Sequence, residues 1–136
     1  MSPAKSADRR DGGHRDDGAA IVDFVLVAGL VTLVFAALIQ LALTQHVRNT
    51  LVDCAAEGAR YAALADRSPA DGVARTRALI RLSLAAGYAD DVTAVDTTID
   101  GMAVVEVRVT APVPVAGLVG PARTLVVTGH ALREAP

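Results

Sequence analysis

The sequence predicts an α+β protein with a long N-terminal transmembrane helix, and three observations lead to this fold class. A run from Ala19 to Leu43 is long enough to cross a bilayer, because about 20 helical residues span a hydrocarbon core of ~30 Å. An apolar stripe at helical spacing follows this run, and valine-rich segments of alternating polarity come later in the chain. We therefore expect a membrane helix that continues into an amphipathic spine, then a second short helix and a small antiparallel three-stranded sheet.

The apolar run has the composition of a membrane anchor. No formal charge occurs between Phe24 and Gln45, and the lack of a polar face argues against the core helix of a soluble protein. The alternative is a cleaved secretory signal peptide, with weak cleavage sites at Ala36 and Ala42. Signal peptides have a shorter apolar core of about 7–15 residues, so an anchor is favoured. Gly29 is small enough to let a neighbouring helix approach.

The helical pattern continues beyond the membrane segment. An apolar stripe recurs at alternating spacings of four and three, and consists of Val47, Leu51, Cys54, Gly58, Tyr61 and Ala65. The membrane segment and this stripe predict one helix from about Ala19 to Leu64, in which Gly58 and Ala62 serve helix packing. Asp53 and Glu57 lie four residues apart with like charge, so their face is solvated or contacts a basic partner.

A second helix is predicted to begin after Ser68. Ser68 has the properties of an N-cap, Pro69 suits the first helical position, and Asp71 follows three residues after the cap. Gly87 is the predicted C-terminal stop of this helix.

Three strands are predicted in the remaining chain. They cover Asp91–Ile99, Met102–Pro112 and Thr124–Leu132, and the middle one has the clearest alternation of valine with polar residues. Asp100-Gly101 between the first two is a strong two-residue hairpin sequence. Prolines and glycines between Pro112 and Pro121 predict a loop before the third strand.

These elements predict three regions and an orientation. Residues 1–18 form a disordered cytoplasmic leader, residues 19–45 the transmembrane helix, and residues 46–136 an extracytoplasmic α+β domain. Basic residues outside the span decide the orientation. Lys5, Arg9, Arg10 and Arg15 precede the span, whereas Arg48 and Arg60 are the first to follow it. The N-terminus is therefore expected in the cytoplasm.

Composition and spacing argue against most kinds of chemistry. A net charge of −2 gives no reason to expect nucleic-acid binding. The three histidines lack metal-ligand spacing, and His14 with its neighbouring aspartates fits a solvated leader better than a metal site. No catalytic motif, cofactor site or small-molecule site is evident, so we expect no enzyme. The single Cys54 is either a small buried residue of the stripe or an intermolecular thiol.

The start of the apolar run carries a family resemblance. Gly18 followed by Ala19-Ala20-Ile21-Val22-Asp23-Phe24 resembles the processing region of type IV prepilins, and more narrowly the TadE-like pseudopilins of the tight-adherence (Tad/Flp) pilus system. That family usually has glutamate where this chain has Asp23. The resemblance implies cleavage between Gly18 and Ala19 by a prepilin peptidase. It also implies that Asp23 pairs with the N-terminal amine of an adjoining subunit.

The resemblance implies a structural function. The chain is expected to be a minor pseudopilin-like component of a Tad-type pilus assembly or secretion machine in the bacterial cytoplasmic membrane. Its expected partners are the membrane, other pilin or pseudopilin subunits, the Tad machinery and the prepilin peptidase. Two alternatives remain: a membrane-anchored extracytoplasmic binding module without processing, and a soluble domain released by signal peptidase.

Overall fold

The computed structural model describes Met1 and residues 13–113 and 124–134, with side chains from residue 18 onward. It contains helix α1 (Gly13–Ala63), helix α2 (Pro69–Ser83), a short 3₁₀ helix (Ala86–Ala89) and strands β1 (Asp91–Ile99), β2 (Met102–Pro112) and β3 (Thr124–Leu132). The chain separates into two compact units, Met1–Ile39 and Gln40–Pro136. The predicted α+β class is confirmed. The predicted leader through residue 12 and the loop residues Pro114, Gly117, Gly120 and Pro121 lie outside the described residues.

Helix α1 begins six residues earlier than the predicted Ala19 and ends one residue before Leu64. Its first buried residue is Val47, from which the predicted stripe runs through Leu51, Cys54 and Gly58 as buried positions. The stripe prediction is wrong at its end, because Ala65 follows the helix and is exposed. Tyr61 is half-buried, and its ring lies beneath the guanidinium groups of Arg67 and Arg75, at 4.8 and 5.8 Å.

Helix α2 begins as predicted and ends earlier than predicted. The Ser68 hydroxyl accepts a hydrogen bond from the Asp71 N–H, and the Asp71 carboxylate accepts one from the Ser68 N–H at 2.8 Å. The helix ends at Ser83 because Leu84 adopts an extended conformation while its N–H donates to the Ile80 carbonyl. Gly87 is therefore not the C-terminal stop and lies in the 3₁₀ helix, which directs Tyr88 and Ala89 towards the core.

The sheet has the order β1-β2-β3, and both pairings are antiparallel. All three predicted strand ranges are confirmed. Asp100 and Gly101 form the predicted two-residue turn, with φ of 51° and 79°, as a type I′ hairpin requires. The odd-numbered residues of β2 from Val105 to Ala111 are buried against the helices and define the inner face of the sheet. The opposite face is the outer face.

The core lies between the inner face and the helices. It contains Val47, Leu51, Cys54 and Ala55 of α1, Ile80 of α2, Ala89, and Val92, Val107, Val109 and Val127 of the sheet. Alanines and valines leave little space between elements, so backbones approach closely. A Cβ atom on Gly129 would lie 2.5 Å from the Ala55 carbonyl oxygen. Strand β3 therefore packs directly on the α1 backbone.

Candidate assembly and membrane-anchoring site

The N-terminal half of α1 presents apolar side chains on every side. Large residues from Ile21 to Leu43 are exposed, with Phe24 at 74% and Leu33 at 67%. Among the described residues, one helix is long and apolar enough to span a membrane, judged by length and composition, with a mean hydropathy of 2.6 in its most apolar window. An exposed apolar surface of this extent marks contact with lipid or with other protein.

The polar groups within this surface are satisfied by the helix itself. The Thr32 hydroxyl donates to the Ala28 carbonyl at 2.8 Å, and the Thr44 hydroxyl donates to the Gln40 carbonyl at 2.9 Å. An unsatisfied hydroxyl in hydrocarbon would cost free energy, because no water is present to bond it. The threonines are therefore compatible with a lipid environment.

Gly18, Ala19 and Asp23 lie on exposed turns of α1. Residues four apart are neighbours on a helix surface, so Ala19 and Asp23 share one face. No described basic side chain lies within ion-pair distance of the Asp23 carboxylate; the ion pairs of the described residues all involve residues from Glu57 onward. An acid in this position is available to a cation from outside the described residues.

The three small residues predicted for helix packing lie in different surroundings. A Cβ on Gly29 would meet no heavy atom within 4 Å, so this position is open to an approaching helix. Gly58 and Ala62 instead contact α2 within the chain: a Cβ on Gly58 would lie 2.9 Å from the Gly72 carbonyl oxygen, and one on Gly72 would lie 2.7 Å from the Ala62 Cβ. The buried Thr76 completes this crossing.

The acidic face of α1 has its basic partner in the same chain. The Glu57 carboxylate lies 3.2 Å from the Arg60 guanidinium and 3.7 Å from that of Arg75 on α2. All three side chains are substantially exposed, so these pairs contribute little to stability. They orient α2 beside α1 and explain why Glu57 is compatible with the spine.

Cys54 is 6% exposed and belongs to the core. Burial raises the pKa of its thiol, and the nearby Asp53 carboxylate raises it further. Both effects disfavour the reactive thiolate. The placement favours the core-packing interpretation over the intermolecular thiol.

Two ion-pair clusters were not predicted from the sequence. On the outer face, the Glu106 carboxylate contacts His130 and Arg108, both at 3.0 Å, and these contacts lower the pKa of Glu106. After β3, the Arg133 guanidinium donates two sets of hydrogen bonds. Its Nε lies 3.0 Å from the Asp96 carboxylate, and another of its nitrogens lies 3.3 Å from the Arg67 carbonyl oxygen. Arg108 and Glu106 are two residues apart. The other three contacts join residues 24, 37 and 66 positions apart, so no local pattern could reveal those three.

The described residues contain no group of three or more histidine, cysteine, aspartate or glutamate side chains that could hold a metal ion. The distinguishing feature of this region is its exposed apolar helix with Asp23 near one end. Residues 18–60 match a family model described as TadE-like protein. This segment of the chain is similar to TadE-like proteins. This confirms the resemblance over about a third of the chain, including Gly18, Asp23 and most of the spine.

The matched residues include the apolar part of α1, which is long and apolar enough to span a membrane. TadE-like pilus components are structural proteins rather than enzymes. Neither the curated proteins nor the solved structures contain a significant match to this chain.

Proposed function

We propose that this chain is a minor pseudopilin-like subunit of a Tad-type pilus assembly or secretion machine, inserted in the membrane and processed after Gly18. The observation that supports this most is one carboxylate, Asp23, close to the start of a fully exposed apolar helix in a TadE-like segment. The helix both anchors the subunit and packs against the helices of other subunits.

The free energy of Asp23 supports an assembly function. An aspartate at the centre of an inserted helix costs roughly 2.5–3.5 kcal/mol, and less near its end. Cleavage after Gly18 creates an amine at Ala19 that is equally unfavourable in apolar surroundings. When the amine of one subunit meets the Asp23 carboxylate of the next, each charge compensates the other. The pair thereby fixes the axial register of two neighbouring helices.

The open surface at Gly29 supports close contact between helices in this assembly. Packing in a bilayer depends on van der Waals contact between closely spaced backbones, which small residues permit. Gly29 lies in the exposed apolar segment and has free space above it. It is therefore the position at which a neighbouring subunit's helix comes closest.

The proposal includes topology and partners. The leader of residues 1–18 lies in the cytoplasm, residues 19–45 cross the cytoplasmic membrane, and residues 46–136 form the extracytoplasmic domain. The greater number of basic residues before the span supports this orientation. Partners are the prepilin peptidase, pilin or pseudopilin subunits and the Tad machinery.

The test replaces Asp23 with asparagine, which keeps the shape of the side chain and removes its charge. We expect Asp23→Asn to insert in the membrane normally and to be absent from the isolated pilus machinery. Asp23→Glu, the residue usual in the family, is expected to assemble. Asp53→Asn serves as the matched control, because Asp53 is an exposed acid of the same helix beyond the proposed span. Membrane insertion is measured by resistance to alkaline extraction, and assembly by co-isolation. Normal assembly of Asp23→Asn would contradict the proposal.

A further inference from the structure

The compact unit Gln40–Pro136 contains the last residues of the proposed span. Residues 40–45 of α1 belong both to this unit and to the span, and they carry the exposed side chains of Leu41 and Leu43. The first buried residue of the unit, Val47, follows at once. We call the end of the unit that contains residues 40–47 the basal end. Surfaces at the basal end are next to whatever surrounds the end of the span.

The sheet begins at the basal end. Gly129 of β3 lies against Ala55, and the Glu134 N–H bonds to the Ala63 carbonyl, so β3 and this part of α1 run in the same direction. Strand β1 is parallel to β3, because both are antiparallel to β2. The first residue of β1, Asp91, therefore lies towards the basal end.

Distances along the elements place Asp91 close to the level of Gln45. Gly129 lies against Ala55 and is in register with Ala94 of β1. Asp91 precedes Ala94 by three residues, or ~10 Å of strand. Gln45 precedes Ala55 by ten residues, or ~15 Å of helix. The two levels differ by ~5 Å, which is within the thickness of a headgroup layer.

The end of α2 lies at the basal end as well. Gly72 lies against Ala62, whereas Thr76, one turn later in α2, lies against Gly58, one turn earlier in α1. Helix α2 is therefore antiparallel to α1, and its last turn is directed towards the basal end. The chain passes from there through the 3₁₀ helix to the start of β1.

The turn that joins α2 to β1 is exposed and largely apolar. Leu82 is 85% exposed, more than any large apolar side chain of the proposed span. Ala85, Ala86 and Gly87 are exposed beside it in the sequence. A single exposed leucine is ordinary on a protein surface. Its position at the basal end, together with three more exposed apolar residues, distinguishes this one.

The arginines without a partner lie at the same end. Arg48 and Arg81 are exposed and make no ion pair or hydrogen bond with the described residues. Every other arginine whose side chain is described is in an ion pair or bonds to a carbonyl oxygen; these are Arg60, Arg67, Arg75, Arg77, Arg108 and Arg133. Asp90 and Asp91 are also exposed here. The basal end thus presents apolar groups and charges of both signs.

We propose that the basal end rests on the zwitterionic phospholipid headgroups of the bilayer that α1 spans, with Leu82 inserted among them. The presence of that bilayer rests on the proposed function. Arginine binds phosphate through several N–H donors, which suits Arg48 and Arg81 to the lipid phosphate. The exposed aspartates suit the cationic group of the same lipids. Apolar residues at a membrane interface enter ~5–10 Å into the headgroup boundary, a depth that one leucine side chain and its turn can reach.

Single tryptophans test this contact, because the chain contains none. Leu82→Trp is made in the full-length chain, at a low ratio of protein to lipid, in phosphatidylcholine vesicles that carry a nitroxide quencher on the lipid headgroup. Leu132→Trp is the matched control, since Leu132 is a leucine of the same unit, is 60% exposed and lies ~25 Å from the level of Gln45 by the same distances. Leu43→Trp reports on the span. Thermal unfolding establishes that each variant folds.

We expect the nitroxide to reduce the emission of Leu82→Trp about as much as that of Leu43→Trp, and to leave Leu132→Trp unchanged. Replacing Arg48 and Arg81 together with glutamate should diminish the loss at Leu82→Trp, because the phosphate contacts are removed. Equal emission of Leu82→Trp with and without the quencher would overturn the proposal, as would equal losses at Leu82→Trp and Leu132→Trp. A shift of Leu82→Trp emission to shorter wavelength without quenching would also overturn it, since the residue would then be covered by protein.

The same measurement separates the two possible failures. Quenching at Leu43→Trp but not at Leu82→Trp refutes the headgroup contact and leaves the span intact. An unquenched Leu43→Trp refutes the span on which the contact depends. Assembly is tested independently by Asp23→Asn, which lies outside the basal end.

Discussion

Replacing Gly129 with alanine tests the direct packing of β3 on the α1 backbone. The new Cβ would overlap the Ala55 carbonyl carbon and the Ala56 nitrogen and would lie 2.5 Å from the Ala55 carbonyl oxygen. Ordinary contact begins at 3.4 Å, so the elements must separate by about 1 Å. The atoms that it meets belong to the α1 backbone and cannot turn aside like a flexible side chain. Overpacking of this kind costs about 1–3 kcal/mol. Alanine also reduces the entropy of the unfolded chain, which recovers about 0.4–1 kcal/mol where the native conformation permits it.

The expected net loss of about 1.3 kcal/mol is measurable by labelling Cys54. This is the chain's single cysteine, is 6% exposed and belongs to the core between the helices and the sheet. We expect its thiol to become accessible when β3 and α1 separate. A loss of about 1.3 kcal/mol increases the open population about ninefold. The thiol of Gly129→Ala should therefore be labelled about ninefold faster than that of the wild type, in the full chain in detergent and at one pH.

Gly87→Ala is the control for the Gly129 experiment. A Cβ at Gly87 meets no heavy atom within 4 Å, and its φ is not positive. Its labelling rate should lie within about twofold of the wild type, as is usual for surface substitutions. Equal rates for the two alanine variants would refute the packing of β3 on α1.

Two further predictions concern helix α2. Hydrogen bonds from the Ser68 side chain and backbone lower the pKa of Asp71, so the stabilisation is present above the usual pKa of 3.8 and disappears as the pH falls through the lowered value. Unfolding midpoints of wild type and Ser68→Ala should therefore converge in acid, and a gap that is constant with pH would contradict this. Gly58→Ala should separate α2 from α1, because the new Cβ would overlap the Thr76 hydroxyl, and it should lower the urea midpoint of unfolding. Gly29→Ala is the control, because the space above Gly29 is open, and it should leave that midpoint unchanged. An unchanged midpoint for Gly58→Ala would refute the crossing of α1 and α2.

Local patterns in the sequence were sufficient for most secondary-structure boundaries. The three strands and the start of α2 follow from period-two alternation, the Asp100-Gly101 turn and the Ser68 cap, which are all interactions between near neighbours. The predicted end of α2 at Gly87 was wrong because Leu84 leaves the helix and packs against the core. This is a tertiary effect, which the preference of helix C-termini for glycine does not include.

Contacts between distant residues could not be predicted. Gly129 resembles an ordinary weak position in a strand, yet its missing side chain lets β3 reach the α1 backbone. Similarly, Arg133 in the C-terminal tail binds Asp96 of β1 across the sheet. The candidate site was the opposite case: Gly18 and Asp23 were singled out by their spacing and by the family resemblance. The interactions that the resemblance implies for them involve a peptidase and another subunit and not the fold of this chain.

The most direct test of the proposed function is the N-terminus of the membrane-extracted protein, measured by intact mass in cells with and without their prepilin peptidase. A chain that begins at Ala19 only when the peptidase is present is the predicted result, and it places the amine on the same helix face as Asp23. An intact leader in both strains would contradict the account and leave a membrane-anchored domain in which Asp23 has no assembly function.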